Sequence, residues 1–293
     1  MAEYQTWAAP YPLERAETLV AEVVELGEPR SDHWWMLTIA DLDDQEIFGD
    51  LALQLSWEAR SAEIGYTLAP DHWGQGYASE AVTALVARLF EAPALTRIQG
   101  QLHPDNHASA MVLERAGFVY EGRTRLSHWV DGVNSDDLIY AMTRDDWEAW
   151  LARPTGPPTE VRLVDVATAN NLAVRRLVTH KSQERFVSPV LKSFADAQFP
   201  ELENGHPVVP WMRAVEADGE LVGFVMVALT TEHHPEPYLW RLLIDRRHQR
   251  RGIGTRVIDL VVDACRAMGD SQMVVSWTEG PGTPRPVYER YGF

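Results

Sequence analysis

Two short glycine-rich stretches carry the chemistry of this chain. Gly74-Gln75-Gly76-Tyr77-Ala78 opens a helix-like run in the first half, and Arg251-Gly252-Ile253-Gly254 opens another in the second. A strand that runs through such a turn into a helix builds an anion site. Glycine lets the backbone bend tightly and approach a ligand, the first helical N–H groups have no intrahelical partner, and the helix dipole favours negative charge there. A pyrophosphate is the natural guest. Around the second turn stand Arg246, Arg247, Arg250 and Arg251, whose forked guanidinium groups suit phosphate. The first turn has no arginine between Arg60 and Arg88, so it depends on backbone donors. An E-R-x-G-F box follows each turn: Gly117 lies 41 residues after Gly76, and Gly292 lies 40 after Gly252. Matching turns and boxes at matching distances indicate a duplicated domain.

These residues resemble a known family. Gln249-Arg250-Arg251-Gly252-Ile253-Gly254 fits the Q/R-x-x-G-x-G/A acetyl-CoA signature of the GNAT superfamily of N-acetyltransferases. The Gly-Phe boxes match the end of the helix that follows the fifth strand in that family. The stretch His72–Ala81 resembles the subgroup that acetylates ribosomal-protein N-termini and some antibiotics, departing from the signature at Trp73. Tyr238–Asp245, Ser276-Trp277 and Pro284–Phe293 resemble bacterial polyamine and diamine acetyltransferases.

The resemblance implies acetyl transfer from acetyl-CoA to a primary amine, with the pantetheine arm lodged where two parallel strands splay apart. It assigns cofactor binding to Trp73, Gly74, Gln75, Gly76, Tyr77, Ala78 and Asn106 in the first copy. In the second it assigns Gln249, Arg250, Arg251, Gly252, Ile253 and Gly254. Glu63, thirteen residues before Gly76, matches the family's base, and otherwise reads as a solvent-facing strand carboxylate. Ser109 resembles the hydroxyl beside the departing thiolate. Asn106 reads equally as a helix N-cap. Tyr288 matches the tyrosine that protonates the leaving sulfur, with core packing as its other reading. An unperturbed phenol, of pKa about 10, is protonated at neutral pH. Leu113 stands where the first copy would need that tyrosine, and Leu239 where the second would need the glutamate. Glu232, His233, His234 or Glu236 are the candidate substitutes for that base.

The elements that must position these groups alternate strand and helix in both halves. The reading is α/β, with two tandem mixed-sheet GNAT domains, each incomplete at its outer end. Residues 1–153 form the first, 154–158 a proline-rich linker and 159–293 the second. A helix is expected at 12–26, strands near 34–40, 46–56 and 61–69, and a helix at 75–90 with Val82, Leu85, Val86, Leu89 and Phe90 on its apolar face. A strand at 96–102, a helix at 107–116, strands near 118–129 and 136–143 and a short helix follow. In the second half, strands are expected near 160–165, 211–217, 221–230 and 237–245. A helix at 252–268 puts Val257, Val261, Ala264, Cys265 and Met268 on one face, followed by a strand at 272–277 and a helix at 284–291.

Composition narrows the partners. The 293 residues are 45% apolar and 24% charged, with a net charge of −17. Residues 1–153 hold 26 acidic and 10 basic side chains, so the negative charge sits in the first half. That balance argues against nucleic acid, whose phosphates call for Lys and Arg. It suits cationic substrates, or merely a solvated surface. The ten histidines show no metal-ligand spacing, so no metal is expected. No apolar run reaches the length of a membrane span. Met1-Ala2-Glu3-Tyr4 is no secretory start, and a single cysteine, Cys265, fits a structural thiol in a cytoplasmic protein. The expected activity is N-acetylation of a small-molecule amine: a polyamine, an aminoglycoside-like compound or a metabolite. Protein N-terminal acetylation and a non-catalytic acetyl-CoA-binding module are the alternatives, and a homodimer stays open.

Overall fold

The computed structural model describes residues 4, 11–31, 33–43, 46–130, 132–200, 202–203 and 205–293. Met1–Glu3, on which the reading of the N-terminus partly rests, lie outside the described residues. The chain divides into two compact units, Met1–Ala152 and Arg153–Phe293.

In the first unit the order is α1 (Leu13–Leu26), β1 (Trp34–Ala40), β2 (Ile47–Ser56), β3 (Ser61–Leu68), α2 (Tyr77–Phe90), β4 (Arg97–Leu102), α3 (His107–Ala116), β5 (Val119–Val130), β6 (Val133–Thr143) and α4 (Arg144–Ala152). The sheet runs β1-β2-β3-β4-β6-β5 and is antiparallel except for β3 beside β4. Val82, Leu85, Val86 and Phe90 of α2, at helical spacing, bury against the strands. Leu113 and Ala116 of α3 join the same core.

In the second unit the order is β7 (Val161–Asp165), α5 (Asn171–Val174), α6 (Val190–Gln198), β8 (Leu202–Glu203), β9 (His206–Pro207), β10 (Val209–Ala217), β11 (Glu220–Leu229), β12 (Tyr238–Ile244), α7 (Ile253–Met268), β13 (Val274–Val275) and α8 (Arg285–Tyr291). Its main sheet runs β13-β12-β11-β10-β7, and β12 with β13 is the parallel pair. Strand alternation sorts the sheet into two faces. Val215, Val225, Val227 and Leu239 pack with Val257, Ile258 and Val261 of α7. Ala214, Phe224, Met226 and Leu243 pack with Val174 and Val190 on the α5–α6 side.

The sequence reading changes here in four places. The strand read at 272–277 is paired only over Val274–Val275, because β13 diverges from β12 and the ladder ends with the divergence. Met268 is 49% exposed, since α7 stops at Gly269 beyond the edge of the core. Helices α5 and α6 were not anticipated, for they are short and set among prolines and turns. Pro154–Pro158, read as a linker, is bonded into the second unit: the Arg251 guanidinium donates to the Gly156 carbonyl (2.7 Å) and that of Arg256 to the Pro158 carbonyl (2.7 Å).

The duplication extends to fine detail. A 3-10 turn precedes each glycine turn, at Pro70–His72 and at Arg246–His248. Each E-R-x-G-F box is a helix C-cap. The N–H of Gly117 bonds the Glu114 carbonyl and that of Phe118 bonds Leu113, just as Gly292 bonds Glu289 and Phe293 bonds Tyr288. Both glycines sit at positive φ, 103° and 87°, where a Cβ is disfavoured.

Candidate active sites

In both units the parallel pair parts after a few residues. The β3–β4 ladder pairs Glu63 with Gln99 and goes no further, although β3 continues to Leu68. The β12–β13 ladder ends where Leu239 meets Val275. Glu63 and Leu239 therefore stand at corresponding points, each at the apex of a splay. At the far end of each splay lies the glycine turn. Gly76 (φ 96°) and Gly252 (φ 75°) are N-caps without a side-chain cap, leaving the first N–H groups of α2 and α7 for a ligand. A Cβ built on Gly74, Gly76 or Gly252 would meet nothing within 4 Å, so the backbone there faces open space. That is the shape a pyrophosphate needs, and acetyl-CoA fits these residues.

Trp73 and Gln249 do the same job. The Gln249 amide donates to the Ile244 carbonyl at the end of β12 (3.0 Å), and the Trp73 indole donates to the Leu68 carbonyl at the end of β3 (2.9 Å). Each side chain thus ties its turn to the strand it leaves. Gln249 and Gln183 also exchange amide hydrogen bonds (2.8 and 3.1 Å), and buried Asp245 accepts from the Val178 N–H (3.1 Å). These bonds clamp the segment after α5 over the second turn. Gln75 donates to the Asp71 carbonyl (3.0 Å), and Tyr77 packs on Phe48 with centroids 4.6 Å apart. Ala78 lies in the first turn of α2, Ile253 is buried at the start of α7, and Gly254 follows it.

The arginines divide. Arg250, held at φ 61°, lines a cavity beside the turn. Buried Arg251 donates instead to Gly156 and to Nδ1 of His248 (3.0 Å). Its guanidinium is thereby fixed within the protein, and its place in the signature leaves only the backbone for a ligand. Arg247 bonds Asp245. Burial pushes the His248 imidazole below its usual pKa, in keeping with an Nδ1 that accepts from Arg251.

In the first unit the Glu63 carboxylate accepts from Gln99 Nε2 (3.0 Å) and Gln101 Nε2 (3.4 Å). Three residues on, and hence on the other face of β3, Tyr66 donates to the Ser109 carbonyl and accepts from the Ser109 hydroxyl, both at 2.8 Å. Burial raises the Tyr66 phenol, so it stays protonated. Asn106 caps α3 through Ser109 N–H (3.1 Å). Sequence reasoning missed Tyr66. Its spacing from Glu63, which sends it across the splay toward α3, was the available signal. Leu113, 1% exposed, is core.

In the second unit a cavity of about 380 Å³ runs from Gly252 and Arg250 along β12 to Gln183 and Phe186, with Tyr288 in its wall. Burial raises the Tyr288 phenol above its ordinary pKa, the neighbouring Tyr238 adding to the effect. Tyr238 in turn bonds the Ser276 hydroxyl (2.6 Å). The candidate bases of the second copy do not reach the cavity. Buried His234 bonds the His206 carbonyl through Nε2 (3.3 Å), His233 stacks on His206, Glu236 accepts from Gln272, and Glu232 is not in the cavity wall. Cys265 is 2% exposed and burial raises its thiol, which suits packing. Among the described residues no group of three or more His, Cys, Asp or Glu could hold a metal. Nor is any helix among them long and apolar enough to cross a membrane.

Comparison with known proteins agrees with this architecture. Residues 1–119 match the family model described as an acetyltransferase (GNAT) domain, and residues 175–293 that of the acetyltransferase (GNAT) family. Over 133 residues the chain is 31% identical to the uncharacterized N-acetyltransferase YoaA of Bacillus subtilis, covering 45% of this chain and 74% of that one. Over 86 residues it is 34% identical to the ribosomal-protein-serine acetyltransferase of Escherichia coli, covering 29% and 48%. Among solved structures, the spermidine N-acetyltransferase from Vibrio cholerae in complex with CoA and spermine is 19% identical, with a TM-score of 0.43 over 50% of this chain and 83% of that one. The chain belongs to the GNAT family of N-acetyltransferases, with two such domains in tandem. It is an acetyl-CoA-dependent acyltransferase.

Proposed function

We propose that the second unit acetylates the primary amine of a small molecule. The observation that carries this reading is the cavity of about 380 Å³, within the usual range for small-ligand sites of roughly 300–1,000 Å³. It joins the glycine turn to the α5–α6 side of the sheet. Acetyl-CoA supplies a thioester whose carbonyl carbon bonds to the amine while its sulfur departs as thiolate. The α7 N–H groups and Arg250 bind the pyrophosphate. Gln249 holds the turn in place. Tyr288 gives its proton to the departing sulfur. The amine's proton passes to water, and the phenolate regains one from solvent.

In the first unit Glu63 takes the amine's proton, and Ser109, positioned by Tyr66, faces the sulfur. Two features favour a peptide N-terminus as acceptor there. One is the acidic first half of the chain, and the other is the likeness to a ribosomal-protein-serine acetyltransferase. Acetyl-CoA-dependent thiol release with small amines and with basic N-terminal peptides, in the presence of Tyr288→Phe or Glu63→Gln, separates the two sites. Loss of small-amine turnover with Tyr288→Phe supports the reading. Full retention would sink it.

A further inference from the structure

We infer that the amine accepted by the second unit also carries a carboxylate, held by Arg241. This rests on the placement of acetyl transfer in that unit. Next to the splay, β12 is bulged. Met226 pairs with Arg241 and Val227 with Leu239, so Trp240 is the extra residue. A bulge re-aims the strand beside it. Here it sets Trp240 and Arg241 on the same face: Trp240 packs in the α5–α6 cluster, and Arg241 reaches Asp196 of α6. Both line the cavity, one and two residues past the apex at Leu239.

The Arg241 guanidinium is half engaged. Nη1 donates to the Trp240 carbonyl (2.8 Å), and Nη2 reaches Asp196 at 3.3 Å. Asp196 is shared, since both its oxygens accept from Lys192 Nζ (2.9 and 3.0 Å). Nε is buried without a hydrogen-bond partner. The Arg241 side chain borders the cavity with one N–H of its charged fork unpaired, and a carboxylate suits such a fork. Trp240 lies under the guanidinium at 5.5 Å and fixes its plane.

The rest of the wall agrees. Among the described residues that line the cavity there is no Asp or Glu, whereas Arg241 and Arg250 are present. A polyamine brings several positive charges and would find no counter-charge in that wall. An amino acid brings one carboxylate and finds Arg241. The acceptor is therefore a zwitterionic amine, and the likeness of this half to polyamine acetyltransferases does not extend to the acceptor.

The test measures thiol release from acetyl-CoA with matched pairs, lysine against cadaverine and ornithine against putrescine, with spermidine alongside. The expected result is a kcat/KM about tenfold or more higher for the amino acid of each pair. Arg241→Gln should collapse that ratio toward one, chiefly through KM, with acetyl-CoA affinity unchanged. Equal or faster turnover of the diamines or spermidine by the wild-type protein overturns the inference, whether or not the variant folds. So does silence with every amino acid while acetyl-CoA binds. Failure of the underlying placement looks different: Gly252→Val would leave turnover intact.

Discussion

Trp73 breaks the signature yet makes the same turn-to-strand hydrogen bond as Gln249. The signature residue must donate to the carbonyl where the strand ends. An indole N–H meets that need in the first unit as an amide does in the second. Trp73→Phe keeps an aromatic side chain and removes the donor. It should cost about 0.5–1.5 kcal/mol, read from urea unfolding, whereas Trp73→Gln should cost less. Tyr288 is the residue on which second-unit turnover depends in this account. Tyr288→Phe should lower kcat about tenfold or more while the acetyl-CoA dissociation constant holds. Because burial raises the phenol, it is protonated through the neutral range, and any loss of rate from its ionisation should begin only above pH of about 10. A loss centred near neutral pH would assign the limb to another group. Glu63, Tyr288 and both turns could be singled out from the sequence as candidates. The Tyr66–Ser109 pair was not, because it joins residues 43 positions apart that only the packing of α3 on β3 brings together.

At the scale of elements, the E-R-x-G-F box is a stop signal for a helix, which is why it recurs where no ligand contact requires it. The two copies differ in surroundings. A Cβ at Gly117 would fall 2.5 Å from Trp150, while one at Gly292 would meet nothing. Gly117→Ala should therefore cost about 1–3 kcal/mol more than Gly292→Ala in thermal or urea unfolding, since both share the positive-φ strain. The clamp over the second turn carries a pH signature. His180, desolvated and near Arg246 and Arg250, has its pKa lowered to about 4. A group whose folded pKa is depressed binds its proton more readily when unfolded. Stability is thus full above pH of about 6.5 and falls as pH drops toward 4. His180→Asn should flatten that fall in melting temperature between those limits. An identical slope would mean that other groups set it. Helices at clean 3.6-residue spacing, such as α2 and α7, were readable from their apolar faces. Helix α6 was not, because Pro189 and the turns around it break the pattern. Strand β13 was read too long because a sequence marks extended backbone and not the place where a partner strand leaves.

Across the whole molecule, one domain plan occurs twice with its apparatus shared unevenly. The first unit holds a carboxylate at its splay and no tyrosine at Leu113. The second holds Tyr288, Arg250 and a cavity, with Leu239 at the apex. The repeat could be read from spacing, and the family likeness from the residues of the glycine-turn signature. The division of labour depends on which side chains are already bonded within the protein, and Arg251 is the plainest case. The measurement that tests the account most directly is acetyl-CoA-dependent thiol release by wild-type protein and by Gly252→Val, on the best small amine acceptor. Valine strains a residue at φ 75° and projects into the open space before the α7 N–H groups. The account predicts that this turnover falls about a hundredfold or more, with acetyl-CoA binding lost from the second unit and the fold retained. Turnover at the wild-type rate would place small-amine acetylation outside the second unit and contradict the account.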